Sequence, residues 1–407
     1  MQNQSSPYKK PLAVVKFHGG IQASGRPRCT RVVILGCGFA GIAAAHTFAH
    51  SGMDLEVVVV DRYREQHFLP LLPDVAGETL DIRNVTCRAR YLSARYNFTF
   101  CSSEIRRVDL HGRMVHTADT SLSFDYLIIA VGAQTDFSAN RFISSSAWKL
   151  DDAYDAEKIR DAVMQNRYKH YVFCGGGYTG VETATHVAKL IQRQRQQASV
   201  FIVERQPGIL SRLPAWERRY AAANLKRLKI TVHTQTTVKN LQDAGTVVFS
   251  DGSSLEAAML VWTAGVRPAD FLQRLGRPVT ADGRLIVDGN LAVTDNCFAA
   301  GDAACFTANG GCIHAGVGYA ATQGAHAAAN IIRILKKKRM QPYRPPISGH
   351  VIPMANGRSC GTIAGVPCMG SAATLVHYLL CAWYSRGLRT KLKLITHGIS
   401  LIRRPAF

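Results

Sequence analysis

Acidic residues are scarce in this chain. Its 407 residues hold 28 Asp and Glu against 49 Lys and Arg, a formal charge of +21. None precedes Asp54, and none occurs in the 105 residues after Asp302. Long apolar runs are also missing. No stretch reaches the ~20 apolar residues of a membrane-spanning helix, and the run Val32–Leu35 is too short for a signal peptide. The eleven cysteines contain no Cys-x-x-Cys, which argues against zinc and for free thiols in a reducing compartment. The basic residues are not interleaved with aromatics as in nucleic-acid readers, so no nucleic acid is expected. An anionic membrane surface is the rival partner for the charge. Residues 1–29 carry Lys9, Lys10, Lys16, Arg26 and Arg28 without a clear amphipathic helix. They read as a basic extension.

What the chain does have is glycine in two patterned places. Gly36-Cys37-Gly38-Phe39-Ala40-Gly41 follows the apolar run Val32–Leu35, and Gly175-Gly176-Gly177-Tyr178-Thr179-Gly180 follows Tyr171–Cys174. In such a fingerprint the first Gly makes a tight turn and the second lets backbone N–H groups approach a pyrophosphate. The third lets the next helix pack close to the strand. The helix N-terminus then faces the phosphates with its unpaired N–H groups. Each copy is followed by a helical stretch, Ile42–Ala49 or Val181–Leu190, and then by a strand-like run. Those runs end at Asp61 and Glu204, where the fingerprint requires a carboxylate for ribose hydroxyls. A carboxylate at Glu204 favours NADH over NADPH, a preference that Arg205 could soften.

The duplication extends further. Asp125–Gly132 and Leu260–Gly265 each read as an apolar strand ending in small residues, 91 and 85 residues past Gly41 and Gly180. The expected fold class is α/β, with two Rossmann-like dinucleotide-binding domains, one discontinuous, plus a C-terminal amphipathic helical segment. The expected boundaries are 30–149 with 266–340 for one domain, 150–265 for the other and 341–407 for the C-terminal segment.

On these residues the chain resembles the two-dinucleotide-binding flavoproteins, and within them the type II NADH dehydrogenases (NADH:quinone oxidoreductases). Phe68–Ala76, Val261–Pro268, Gly180-Val181-Glu182 and the Gly301-Asp302 pair in Phe298–Ala303 carry the resemblance. It implies FAD on the first fingerprint, through Gly36, Gly38, Phe39, Ala40, Gly41, Asp61 and Arg62, with Val108, Ala130, Gly132, Gly301 and Asp302. It implies NADH on the second, through Gly175, Gly177, Tyr178, Thr179, Gly180, Glu204 and Gly265. Glu182 would lie beside the nicotinamide. A helix starting near Ala303 would point its positive end at the flavin. Hydride transfer needs position rather than an acid–base dyad.

The electron acceptor implied by the resemblance is a quinone. The family carries an Ala-Gln…Gln-Gln pattern there. This chain keeps Gln323, with Gly318 and Thr322 at the other two positions, so Glu182 and Gln323 are the implied catalytic residues. A soluble reductase with a non-quinone acceptor is the alternative. A sulfide:quinone oxidoreductase-like enzyme is a further alternative, but those relatives, like the disulfide reductases, use a cysteine pair. Here Cys360 and Cys87 each lack the second member.

Pro342, Pro345, Pro346 and Pro353 make 341–356 read as a connector. Two helical stretches follow. In the second, Leu388, Leu392, Ile395, Ile399 and Ile402 form one apolar face, with Arg389, Lys391, Lys393, Arg403 and Arg404 on the others. That pattern is expected of a helix lying in a membrane interface, placing the protein peripherally on the cytoplasmic face of the membrane. The expectation leaves room for a homodimer.

Overall fold

The structure, a computed structural model, describes residues 29–403 except 243–244, 309–310, 314–315 and 347–348. The expected basic extension lies outside the described residues, apart from Cys29.

Each fingerprint strand is the centre of a parallel sheet. Thr30–Leu35 pairs with Leu55–Asp61 on one side and Tyr126–Ile129 on the other. Thr99–Ser102 and Cys297–Ala299 extend this sheet in parallel, and Ala292–Thr294 closes one edge antiparallel. In the second sheet His170–Cys174 lies between Ser199–Glu204 and Ala258–Trp262, with Ile230–Thr234 beyond. The fingerprint strand thus stands between the acid-ended strand and the small-residue strand in both copies. Residues Val32–Leu35 and Tyr171–Cys174 are all buried, as strands covered on both faces must be. The six-stranded sheet takes its strands from both sides of the four-stranded one in the sequence.

Nine α-helices occur among the described residues: α1 (Phe39–Ala49), α2 (Leu72–Ala76), α3 (Ala89–Tyr96), α4 (Ala153–Met164), α5 (Tyr178–Arg193), α6 (Ala215–Arg227), α7 (Val317–Leu335), α8 (Gly370–Tyr384) and α9 (Leu388–Arg403). Helices α1 and α5 follow the two fingerprints directly. The helix expected near Ala303 does not begin there. Gly301–Ala303 is one 3-10 turn, short strands follow, and the helix starts only at Val317.

The stretch 341–356, read as a connector, contains one strand, His350–Ile352, and two more follow it. His350–Ile352, Ser359–Ile363 and Val366–Met369 form a three-stranded antiparallel sheet. Pro353 lies just past the first strand and Pro367 sits in an edge strand, the positions at which a sheet tolerates proline. Short strands rich in Gly and Pro carry little period-two signal, which is why the sequence hid them.

Helices α8 and α9 form an antiparallel-connected pair that packs on the core of the second nucleotide-binding unit. Tyr378, Cys381 and Leu394 belong to the same buried cluster as Leu72, Val75 and Val187. Helix α9 has two apolar lines. Leu394 and Gly398 are buried and Leu401 packs against the core, whereas Leu388, Leu392 and Ile399 face outward.

Candidate functional site

The carboxyl ends of the first sheet open into a cavity of about 610 Å³. That size falls within the range of about 300–1,000 Å³ typical of cofactor sites. Its lining comes from every turn at that end of the sheet: Gly36, Gly38, Phe39 and Ala40; Asp61 and Arg62; Ala130 and Gly132; Gly301 and Asp302. The strand ends bring these residues together from widely separated parts of the sequence.

The glycines divide by task. A Cβ on Gly36 would lie 2.2 Å from the carbonyl oxygen of Ala130, and one on Gly41 would lie 1.9 Å from that of Gly36. Gly175 and Gly180 repeat this, at 2.7 Å from the Thr263 oxygen and 1.9 Å from the Gly175 oxygen. Around Gly38 and Gly177 a Cβ would meet nothing within 4 Å. The middle glycines therefore keep space clear for a ligand, while the outer ones permit close backbone packing. Gly41 accordingly does not line the cavity.

The two acidic residues are held alike. Asp61 accepts hydrogen bonds from the Cys37 N–H at 2.7 Å and the Tyr63 N–H at 2.9 Å. Glu204 accepts from the Gly176 and Gln206 N–H groups, both at 2.7 Å. A carboxylate offers about four lone-pair positions, so each keeps acceptor capacity for ribose hydroxyls while fixing its own glycine loop. Burial pushes the Asp61 carboxyl up, against the lowering pull of its two backbone donors. Burial also raises Asp302, opposed by Arg284.

Helix starts beside the glycine turns carry no side-chain caps. Helices α1, α5 and α7 start at Gly38, Gly177 and Gly316 with no side-chain cap. The starts of α2, α3, α6 and α8 also carry none, whereas Asp152 caps α4 by accepting from the N–H groups of Tyr154 and Asp155. Leaving a helix start uncapped is costly unless a ligand or water satisfies its N–H groups. Gly316, Val317 and Ala320 at the start of α7 line the cavity, as do Arg62, Arg106 and Arg274. The α7 residues and the last two arginines escaped the sequence reading. Gly316 before an Ala-rich helix was the one local sign of them.

Two expected site residues stand elsewhere. Val108 is buried in the core with Val33 and Leu35 and does not line the cavity. Gln323 is buried, and its Oε1 accepts the Gly301 N–H at 2.8 Å. Its amide holds the Gly301-Asp302 turn instead of lining an open site. Replacing it in Gln323→Leu strands that N–H, at a cost of about 1–3 kcal/mol. A Tm several degrees lower and less flavin retained through gel filtration are the expected results. Thr322 is also engaged, donating to the Gly318 carbonyl at 2.8 Å and sharing a hydrogen bond with the Tyr343 hydroxyl at 2.7 Å. His326 packs on Tyr343 and bonds the Gln341 carbonyl at 2.8 Å.

On the second fingerprint Gly177, Tyr178, Thr179 and Gly265 are exposed at the end of their sheet. Glu182 lies past the first turn of α5, so a simple helix-start role does not describe it. Burial, reinforced by the charge of Asp74, pushes its carboxyl well above the ordinary range. Cys360 is buried in the C-terminal sheet, its thiol pushed up to about 12 by burial and by Glu217.

Comparison with known proteins agrees with this geometry. The chain is 28% identical to the demethylphylloquinone reductase of Synechocystis, over 92% of this chain and 96% of that protein. It is 27% identical to a type II NADH:quinone oxidoreductase of Mycobacterium tuberculosis, over 90% of this chain and 86% of that one. The NDH2 structure of Plasmodium falciparum in complex with NADH shares the fold, with a TM-score of 0.80 at 18% identity, covering 93% of this chain and 98% of that one. Residues 30–330 match the model of the pyridine nucleotide-disulphide oxidoreductases, and the chain belongs to that family.

Proposed function

We propose that this protein is an FAD-dependent oxidoreductase that takes hydride from NADH and passes the electrons to a quinone at a membrane surface. The observation that carries the reading is the paired sheets, each with an open glycine, an uncapped helix and a tethered carboxylate at the same end. Two dinucleotide sites on one chain fit electron transfer between two nucleotides, and the NADH:quinone oxidoreductases among the relatives point to the acceptor.

In this reading 30–149 and 266–340 hold FAD and 150–265 hold NADH. Gly36, Gly38, Phe39 and Ala40, with the start of α1, receive the FAD pyrophosphate, and Asp61 receives its ribose. Asp302, held in place through Gly301 and Gln323, would hydrogen-bond the ribityl chain. The start of α7 presents a positive dipole end to the far side of the cavity, where charge grows on reduction. Gly175, Gly177, Tyr178, Thr179, Gly180 and Gly265 seat NADH, Glu204 holds its ribose, and Glu182 orients the nicotinamide. When bound, the flavin would supply the hydride-accepting ring, and the protein would hold the nicotinamide beside it.

The outer face of the C-terminal hairpin supports membrane docking. Trp383 is 76% exposed and Leu388 73%, next to Leu379, Leu380 and Leu392. No helix among the described residues is long and apolar enough to cross a membrane, so an in-plane contact is the fitting mode.

Purified protein loaded with FAD should oxidise NADH and reduce a soluble quinone analogue. A flavin bleached by NADH but not reoxidised by quinones would favour a different acceptor, and a protein that takes up no flavin would remove the reading.

A further inference from the structure

A second cluster of polar side chains lies away from the cavity, beneath the C-terminal hairpin. Asp74 on α2 is fully buried. Its Oδ1 accepts from the Tyr378 hydroxyl at 2.6 Å and the Thr79 hydroxyl at 3.1 Å; His397 Nε2 stands 3.4 Å away and has no hydrogen-bond partner among the described residues. Its Oδ2 has no hydrogen-bond partner among the described residues. His186 is one turn past Glu182 on α5, so the two share a helix face. It is buried against Gly77 at the end of α2, and neither ring nitrogen has a hydrogen-bond partner among the described residues. Tyr378 meets the rings of His377 and His397 edge-on, each at 5.0 Å, and His377 Nε2 lies 3.5 Å from Cys381 Sγ. Arg193 closes the edge, donating to the Gly77 carbonyl at 2.6 Å.

Burying so many titratable groups is costly, and apolar side chains would join these helices more cheaply. The cluster draws on α2, α5, α8 and α9. At one end is Glu182, on the nicotinamide side. At the other is His397, the partly exposed member, with 14% of its side-chain surface accessible. Just before α2, Leu69 and Pro70 line the cavity.

The reaction itself poses a question of protons. Reducing a quinone to its hydroquinone consumes two electrons and two protons. Oxidising NADH to NAD+ releases two electrons and one proton. One further proton per turnover must come from water.

We propose that His397, Tyr378, Asp74, His186 and Glu182 form a relay that carries this proton from the surface at α9 into the reaction centre. The proposal rests on the quinone reading above. Neighbouring groups in the cluster hold protons unequally, as a relay requires. Burial and the charge of Asp74 keep Glu182 protonated well above the usual carboxyl range. Burial opposes ionisation of Asp74, but His186, His397 and the Tyr378 hydroxyl outweigh it and hold the carboxylate charged. Burial lowers His186 and His377, the latter to about 4, opposed by the charge of Asp74.

The test separates the two half-reactions in the holoenzyme. Asp74→Asn and Tyr378→Phe would each be followed by stopped-flow absorbance, in H2O and D2O, across pH 6–9. Three rates are read: bleaching by NADH, reoxidation by menadione and reoxidation by ferricyanide, which takes electrons without protons. The expected result is unchanged bleaching and ferricyanide rates, with menadione reoxidation slowed roughly 10–100-fold. That is less than the ~10²–10⁴-fold contributed by a direct proton donor, because water bypasses part of the path. The slowed step should be steeper in pH and show a larger solvent isotope effect. Equal slowing with both oxidants, or no slowing with menadione, overturns the relay. If wild-type protein is bleached by NADH but menadione does not reoxidise it, the quinone reading fails first and takes the relay with it. Tyr378→Phe keeps the ring in place, so it carries the test should Asp74→Asn fail to fold.

Discussion

Gly180→Val should leave a folded, flavin-containing protein that no longer turns over NADH. The added side chain would start 1.9 Å from the Gly175 carbonyl oxygen and 2.8 Å from Thr263 Oγ1. Neither can yield locally, because Thr263 Oγ1 is itself bonded to the Cys174 carbonyl at 2.9 Å. Helix α5 must move off its strand. Overpacking of this kind costs about 1–3 kcal/mol, which a domain with so large a buried core can absorb. The loss of function is greater. A shift of about 1 Å at a positioning element costs on the order of 10²-fold in rate, and here the shifted element carries both the phosphate-binding helix start and Glu182. The first sheet shares no strand with the second, so the flavin should stay bound. Flavin absorbance and NADH oxidation on the same sample check both halves. Full activity would mean that the second fingerprint does not seat NADH.

A triple variant, Trp383→Glu, Leu388→Glu and Leu392→Glu, should come off anionic vesicles while keeping its soluble turnover. Fully burying each of these side chains is worth about 1.5–3 kcal/mol. At half that value the three together supply about 3 kcal/mol, roughly a hundredfold in partitioning. Three new negative charges beside an anionic surface add repulsion. The substitutions should not unfold the hairpin, because it is anchored through its other side, by Tyr378, Cys381 and Leu394. Vesicle co-sedimentation with NADH–ferricyanide activity as a control measures this. Unchanged sedimentation would remove the docking face.

The two views of α9 explain what a periodicity can and cannot do. The apolar step from Leu388 through Ile399 is visible in the sequence; Leu388, Leu392 and Ile399 face outward, but Ile395 packs against the core. The inner line through Leu394, Gly398 and Leu401 was missed because Gly398 carries no hydrophobic signal. Its value is steric. A Cβ there would sit 2.9 Å from Tyr378 Cβ, so glycine lets the two helices approach. Val108 and Gln323, which do not line the cavity, show a related limit. A side chain's neighbours along the chain do not reveal whether it faces a cavity or the turn behind it.

By itself, the sequence determined the doubled α/β plan. Fingerprint, acidic end and small-residue strand repeat in order, and their physics is local: a turn, a helix start and a carboxylate at a fixed distance. It also determined which end of each sheet receives a ligand, since the glycines and acids stand only there. Tertiary structure alone decided the rest. It brought α7, some 280 residues from Gly36, to the same cavity. It turned Gln323 toward Gly301, folded a proline-rich stretch into a sheet, and gathered Asp74, His186, Tyr378 and His397 under the hairpin. Those contacts join residues far apart in the chain, and no spacing in a linear pattern encodes a meeting that depends on how whole helices pack.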